Sequence, residues 1–179
     1  QLSVRGAGAG RGARRGGCAE AVAAAEPAVN MGLLIGHSTL RIGAMDDGAR
    51  KATAAEIDVM RERLAGCLED GAVGFSTGLY YKTNYPADID EVAALAELLP
   101  EHGAVYTTHM RNEHDDVLKS LDEAYATAER SRAPIVISHH KCAGPRNFRP
   151  SVAPPTSVEA ARSRLHPSPE GYPAASPHR

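Results

Sequence analysis

The chain has 179 residues, of which 42% are hydrophobic and 23% charged, and its formal net charge is −2 at pH 7. This length suffices for one domain with a sizeable core. The weak net charge gives no reason to expect nucleic acid or an anionic membrane as a partner. The sequence has no apolar run near the ~20 residues that a membrane span requires. Its three cysteines show no CxxC spacing, which argues against a disulfide framework and favours the reducing cytoplasm.

Two segments differ in composition from the rest of the chain. Residues 1–17 contain six glycines and four arginines, and residues 145–179 contain eight of the twelve prolines. Neither segment has the apolar pattern that would offset the entropy cost of ordering it. We therefore predict tails over residues 1–26 and 149–179, each either disordered or out of frame, around a folded domain over residues 27–148.

The first predicted helix follows a strand-like apolar run, Met31–Ile35. Thr53 and Glu56 have the spacing of a capping box, in which each side chain accepts a hydrogen bond from a backbone amide at the helix start. Apolar residues recur at helical spacing as far as Leu68, and Gly71 has the position of a C-terminal cap.

Two further helices are predicted downstream. Asp88 with Glu91 predicts the start of a helix that ends at Gly103, and a third helix is predicted from Asp115 to Arg130. In the first of these helices we predict inward positions for Val92, Leu95, Leu98 and Leu99. In the second, the predicted inward, apolar face consists of Val117, Leu118, Leu121 and Tyr125.

Four short apolar segments separate these helices and predict strands. They begin near Met31, Ala72, Ala104 and Pro134. Alternation of buried strands and amphipathic helices is typical of a parallel sheet, either doubly wound or closed into a barrel. No GxGxxG or GxxxxGK[ST] motif follows a strand, which disfavours a nucleotide-binding doubly wound sheet. We predict an α/β fold, a partial (β/α)8 TIM barrel of about four βα units, since a complete barrel needs about 250 residues.

Polar residues follow each predicted strand at its C-terminal end, where β/α barrels place their active sites. In chain order they are His37; Ser76, Thr77 and Gly78; His109, Arg111 and Glu113; and His139, His140 and Lys141. A purely structural role is open for several of them. His37 could cap a turn, and the tyrosines that follow Gly78 either line a substrate mouth or pack within their own loop.

Two of these groups carry the chemical prediction. Alternation in an extended segment places His109, Arg111 and Glu113 on one side, where imidazole can act as a base or ligand and guanidinium can hold a carboxylate. The alternative is an ion pair of Arg111 with Glu113 that supports the barrel rim. Adjacent side chains point to opposite faces, so one histidine of the next group faces the mouth. We choose His139, and His140 is the alternative.

Four sequence blocks stand out in order along the chain. They are Gly36–Arg41, Gly71–Gly78, Tyr106–Glu113 and Ile137–Lys141. Together they resemble the N-acyl-D-amino-acid deacylases (D-aminoacylases) of the amidohydrolase superfamily, over a region from about residue 27 to residue 148. The resemblance implies a zinc-dependent barrel that hydrolyses the amide bond of an N-acyl-D-amino acid. Its products are a carboxylate and a D-amino acid, and the metal activates water and polarises the scissile carbonyl.

The resemblance also implies roles for individual residues. His139, or else His140, matches a histidine that binds Zn²⁺, while His109, Arg111 and Glu113 match an active-site loop that contacts substrate. The partner it implies is a small N-acyl-D-amino acid, with no nucleic acid and no membrane. It implies a hydrolase that acts on carbon–nitrogen bonds other than peptide bonds, and the cysteine usage predicts the cytoplasm as its location.

This sequence departs from the family pattern in four motifs. The N-terminal His-x-His-Asp motif, a cysteine-containing loop, a later metal-binding histidine and a late catalytic aspartate have no counterpart in the 179 residues. Catalytic zinc usually has three protein ligands and a water, so the catalytic residues stay unknown. Two rival expectations follow: an inactive truncated or frameshifted product, or a different metal-dependent amidohydrolase, dihydroorotase-like or imidase-like. The Thr-His-x-Arg-x-Glu and Ser-His-His-Lys blocks together favour the deacylases.

Overall fold

A computed structural model describes residues 21, 22 and 24–138. The described part contains a four-stranded parallel sheet in which consecutive strands are hydrogen-bonded neighbours, in the order β1-β2-β3-β4. The strands are β1 Leu34–Gly36, β2 Gly74–Gly78, β3 Val105–His109 and β4 Ile135–Ile137. Among these four strands, the order across the sheet follows the order along the chain, without the reversal of strand order that a doubly wound sheet has. The predicted parallel sheet is thus confirmed, with each strand starting one to three residues later than its predicted apolar run.

Helices connect the strands. They are α1 His37–Ala44, α2 Ala54–Glu69, α3 Ile89–Ala96 and α4 Val117–Ser131, with a 3-10 helix at Pro100–His102. None of the described helices is both long and apolar enough to cross a membrane. Most of the predicted tails, and the predicted metal-binding residues after Ser138, lie outside the described residues.

The capping box predicted for α2 is confirmed. The Thr53 hydroxyl accepts from the Glu56 amide at 3.3 Å, and the Glu56 carboxylate accepts from the Thr53 amide at 2.8 Å. Beyond the helix end Gly71 has φ +97°, a left-handed conformation that glycine adopts at little cost. Both ends of α2 are therefore specified by local sequence.

The predicted extent of the next helix was wrong. Asp88 caps α3, accepting from the Glu91 amide at 3.1 Å, but the α-helix ends at Ala96 rather than reaching Gly103. Pro100 lacks the amide hydrogen that would continue the helical hydrogen bonds, and the chain goes on with i→i+3 bonds, as turns and a 3-10 helix. The inward position predicted for Leu118 was also wrong, since this side chain is 50% exposed.

The core lies between the sheet and the helices on one of its faces. Its largest fully buried apolar side chains are Met60, Leu64, Phe75, Leu95, Leu99 and Tyr106. A second, smaller cluster joins β4 to α4 through Met110, Val117 and Leu121. Because the four strands are parallel, their C-terminal ends meet at one edge, and the polar residues that follow them are brought to that edge.

The α2 capping box offers a test of local specification. Thr53→Ala removes the acceptor for the Glu56 amide, and we expect a loss of about 1 kcal/mol in the free energy of unfolding. Urea unfolding followed by circular dichroism measures it. Thr53→Ser keeps the hydroxyl and should recover most of the loss; equal destabilisation by both substitutions would contradict the role of the cap.

Candidate functional site

A cavity of about 230 Å³ lies at the C-terminal ends of β1, β2 and β3. His37 and Ser38 line it after β1, Ser76, Thr77 and Gly78 at the end of β2, and His109 at the end of β3, with Tyr81 and Asn84 from the loop after β2. Side chains predicted from three separate strand ends thus converge on one space. The cavity lies at the edge of the sheet where the sequence predicts the site.

His37 begins α1, a helix that the sequence analysis did not predict. Its imidazole is fully buried, and Nε2 lies 2.8 Å from Glu91 Oε1 on α3. Since an ionised carboxylate only accepts, Nε2 carries the hydrogen and donates it. Arg41, one turn further along α1, donates to the same carboxylate oxygen. Two side chains from α1 therefore converge on one buried glutamate of α3.

The charges in this group are consistent with a neutral imidazole between two ionised neighbours. Burial lowers the pKa of His37 and outweighs the hydrogen bond and charge of Glu91, which raise it. Burial raises the pKa of Glu91, but hydrogen bonds from His37 and Arg41 more than compensate, and the net pKa is lowered. Near neutral pH the network is an Arg41–Glu91 ion pair with a neutral His37 donor.

Arg41 extends this network to the connection between α1 and α2. Its Nη2 donates to the carbonyl of Gly48 at 3.1 Å and to the carbonyl of Arg50. Two buried nitrogens, Nδ1 of His37 and Nε of Arg41, have no hydrogen-bond partner within the described part of the chain. The network thus joins α1, α3 and the loop after α1 behind the cavity.

His109 is the last residue of β3 and lies at the cavity. Its ring stacks on Tyr81 with centroids 5.3 Å apart and meets Tyr80 edge-on at 5.9 Å. Its Nδ1 lies 4.0 Å from Glu113 Oε1, and Glu113 is mostly buried. The structure therefore brings His109 and Glu113 together, and two tyrosine rings also contact the imidazole.

Arg111 points away from this pair. The strand ends at His109, so the extended alternation predicted for the next residues does not continue. The guanidinium of Arg111 donates to Glu123 of α4, with Nε–Oε2 at 2.9 Å and Nη2–Oε1 at 2.7 Å. The ion pair predicted as the alternative thus has Glu123 rather than Glu113 as its carboxylate. This charge pair raises the pKa of Arg111.

The fourth predicted group comes directly after Ser138, the last residue that the structure describes. The Ser138 amide donates to the carbonyl of Thr108 at 2.9 Å, which keeps the end of β4 beside the end of β3. His139, His140 and Lys141 come next in sequence and lie outside the described residues.

Residues 21, 22 and 24–138 contain no group of three His, Cys, Asp or Glu side chains that could hold a metal ion. His109 and Glu113 supply two such side chains, with Nδ1 and Oε1 4.0 Å apart. Since a catalytic zinc usually takes three protein ligands, the described residues do not make a metal site by themselves.

Sequence reasoning missed the buried partners of the predicted residues. Glu91 was interpreted only as a residue of a helix start, and neither Arg41 nor Asn84 was singled out. The signal present in the sequence is the spacing of His37 and Arg41, which lie one helical turn apart and so share a face. Their common partner is 50 or more residues away in sequence.

The chain is similar to three enzymes of Alcaligenes xylosoxydans xylosoxydans. It is 41% identical to an N-acyl-D-glutamate deacylase over 143 residues, which is 80% of this chain and 29% of that enzyme. It is 38% identical to a D-aminoacylase over 154 residues (86% and 32%), and 41% identical to an N-acyl-D-aspartate deacylase over 128 residues (71% and 26%). The chain therefore spans less than a third of the length of these relatives. No protein-family model matches it.

Solved structures of enzymes with the same names also match this chain. A crystal structure of D-aminoacylase, described as defining a novel subset of amidohydrolases, matches with a TM-score of 0.74 and 40% identity over 76% of this chain and 29% of that one. An N-acyl-D-glutamate deacylase from Bordetella bronchiseptica matches with a TM-score of 0.77 and 39% identity over 81% and 31%. That enzyme was crystallised with zinc and a phosphonate that mimics the tetrahedral intermediate. A third match concerns the binuclear metal centre of D-aminoacylase. The predicted fold class, part of a TIM barrel, is confirmed.

The Glu91 network can be tested by removing its charge alone. Glu91→Gln keeps the size of the side chain but leaves Arg41 buried without a counter-charge, and we expect a loss of about 3 kcal/mol in unfolding free energy. Denaturant unfolding followed by circular dichroism measures it. Glu62→Gln, at an exposed position of α2, is the matched control and should change stability by less than about 0.5 kcal/mol. Similar losses in both variants would contradict the network.

The buried His37 also predicts a pH dependence of stability. Its pKa is lower in the folded chain than its ordinary value of about 6.5, so between these two values the unfolded chain binds more protons. Unfolding free energy should therefore fall as the pH drops below about 6.5, by up to about 1.4 kcal/mol per pH unit. In His37→Gln this part of the slope should vanish, whereas His114→Gln, at an exposed position, should keep it. Urea melts between pH 5 and pH 8 compare the slopes, and an unchanged slope in His37→Gln would refute the prediction.

Proposed function

The chain belongs to the N-acyl-D-amino-acid deacylase family of the amidohydrolase superfamily, and from this premise we propose that it supplies part of the active site of a zinc-dependent hydrolase. The reaction is cleavage of the amide bond of an N-acyl-D-amino acid to a carboxylate and a D-amino acid. The substrate is a small molecule, and the proposal involves neither nucleic acid nor a membrane surface.

One observation carries the proposal: three of the four family-like sequence blocks contribute to one cavity. The blocks Gly36–Arg41, Gly71–Gly78 and Tyr106–Glu113 each supply lining residues at a strand end. The fourth, Ile137–Lys141, begins at the end of β4, which is held beside β3 at the same edge. Convergence of separate blocks on the C-terminal edge is the arrangement that barrel enzymes use for catalysis.

The residue roles proposed for this cavity follow their surroundings. His109 lines the cavity, and His109 and Glu113, which lies beside it, would contact the substrate. His139, with His140 as the alternative, would bind the metal. Arg111 belongs to the same loop, but Glu123 and two backbone carbonyls take most of its donors. Arg111 would therefore affect substrate binding mainly by positioning its partners, Tyr85, Ala87 and Glu123.

Zinc is proposed as the metal because the similar N-acyl-D-glutamate deacylase was solved with zinc. Imidazole ligands suit zinc. We propose the cytoplasm as the location, since three cysteines without CxxC spacing suit a reducing compartment.

The rival candidate is that the chain has no catalysis of its own. It is favoured because the part of the chain that the structure describes contains no group of three side chains that could hold a metal ion. For this chain alone with added zinc, we expect no release of D-amino acid from N-acetyl-D-methionine or N-acetyl-D-glutamate above background. Turnover that His139→Ala abolishes would overturn this expectation and show that the chain is sufficient.

A chimera tests whether the segment is competent when the missing motifs are supplied. We would replace the matching segment of the Alcaligenes D-aminoacylase with residues 27–148 and measure D-amino acid release with zinc. The chimera should be active, and His139→Ala should reduce kcat/KM by at least about 10³-fold, as expected for loss of a metal ligand at a reacting centre. His114→Ala at an exposed position is the control and should stay within about twofold. A folded, zinc-loaded chimera without activity would count against the proposed function.

A further inference from the structure

The loop between β2 and α3, residues 79–88, contains three tyrosines, one of which, Tyr81, lines the cavity; we call it the tyrosine loop. Tyr80, Tyr81 and Tyr85 are 56%, 56% and 59% exposed, whereas Asn84 is only 1% exposed. Leu79 and Ala87 anchor the two ends of the loop in the core, where they are 3% and 2% exposed. The exposed aromatic rings between them gain little from burial, so polar contacts are needed to fix this part of the loop. Two polar side chains from other parts of the chain and one from within the loop provide those contacts.

Asn84 fixes the centre of the tyrosine loop. Its Oδ1 accepts from the Ser38 hydroxyl at 3.1 Å, and its Nδ2 donates to the Gly78 carbonyl at 3.4 Å. The backbone amide of Asn84 donates to the Tyr81 carbonyl at 2.9 Å. Asn84 thus joins the loop to the start of α1 and to the end of β2.

Arg111 fixes the second half of the loop from the opposite side. Its guanidinium donates to the carbonyls of Tyr85 and Ala87, the latter at 2.7 Å, and lies 5.5 Å from the centroid of the Tyr85 ring. Two further bonds to Glu123 orient the same guanidinium. Charge-assisted bonds of this kind are about twice as strong as neutral ones.

In the tyrosine loop, the ring of Tyr81 contacts two neighbours, His109 and Gly78. Its ring stacks on His109 at 5.3 Å, and a Cβ at Gly78 would come within 2.6 Å of its Cδ2, so the ring lies directly over the end of β2. Tyr81 also lines the strand-end cavity. Its position therefore shapes the space beside a residue proposed to contact the substrate.

We propose that Asn84 and Arg111 are positioning residues that hold the tyrosine loop against the strand ends, and so fix Tyr81 on His109 as one wall of the substrate cavity. The link to substrate rests on the proposed function; the positioning itself does not. On this account Arg111 serves the site through two backbone carbonyls of the loop. Ser38 takes part as the hydroxyl donor to Asn84.

The stacked rings provide a spectroscopic test in the full 179-residue chain. The Tyr81 ring current should displace the His109 ring-proton resonances in NMR spectra, with His109→Gln used for assignment and Tyr81→Leu as the reference without the ring. We expect Asn84→Ala and Arg111→Met to shift these resonances most of the way to the Tyr81→Leu values. Ser38→Ala should do so in part, and Ser38→Thr, which keeps the hydroxyl, should restore them.

Chymotrypsin, which cuts after aromatic residues, tests how firmly the loop is held. Cleavage within residues 79–88 should be about tenfold faster in Asn84→Ala and Arg111→Met, because local opening costs less free energy. Lys82→Ala, an exposed position in the same loop, is the matched control and should stay within about twofold of the parent chain. Circular dichroism checks that each variant is folded, and Ser38→Ala, which loses one hydrogen bond, remains informative if a stronger variant unfolds.

The outcomes separate this inference from the proposed function. Unchanged His109 resonances together with cleavage rates equal to Lys82→Ala would overturn the positioning roles. Titration of N-acetyl-D-glutamate into the same samples should show weaker binding in the variants than in the parent chain. If the parent chain does not bind it while the His109 resonances still respond to Asn84→Ala, the loop inference stands and the substrate assignment fails.

Discussion

The arrangement of the strand-end cavity depends on one buried carboxylate, Glu91. A charge in the interior is tolerated only when it is paired and hydrogen-bonded, and Glu91 meets this condition by accepting from both His37 and Arg41. That requirement fixes the first turn of α1 against α3. Because Ser38 is the next residue of α1 and donates to Asn84, the same constraint reaches the tyrosine loop and, through it, the ring stacked on His109.

The two faces of β2 and β3 differ in what their side chains contact. Thr77 and Thr108 are register partners on β2 and β3, both buried, and their hydroxyls meet at 2.8 Å, with the Tyr106 hydroxyl 3.0 Å from Thr77. Strand side chains alternate between faces, so the next register pair, Gly78 with His109, presents the other side and reaches the cavity. Hydrogen-bonded hydroxyls and apolar packing therefore occupy one face of these strands, whereas the cavity is bordered by the opposite face and by the strand ends, including Thr77.

Sequence predicted those parts of the fold that are set by neighbouring residues. The Thr53–Glu56 capping box and the left-handed Gly71 depend on contacts within a few positions, and both were found as predicted. Helix α1 could not be found in this way because its inward face consists of His37, Leu40 and Arg41, and two polar residues hide the apolar periodicity. The role of the Glu91 side chain was missed for a related reason. The Glu91 backbone amide donates to the Asp88 cap of α3, as the local pattern predicts. Its carboxylate binds His37 and Arg41, which are 50 or more residues away in sequence.

The same distinction explains how motif and scaffold divide the site. The four family-like blocks contain all the residues that line the cavity except Tyr81 and Asn84. Three residues that hold other side chains in place, Asn84, Glu91 and Glu123, lie outside all four blocks. These three hold Ser38, His37 with Arg41, and Arg111 respectively, each across a sequence separation of 12 residues or more. A motif identifies groups that a substrate would contact, whereas the groups that orient them are recognisable only once the fold brings them together. Orientation is a condition for chemistry at such a site, since a displacement of about 1 Å in a reacting group can reduce a rate by about 10²-fold. The identity of the family is thus encoded mainly at the strand ends, and the geometry of the cavity mainly in the buried polar partners behind them.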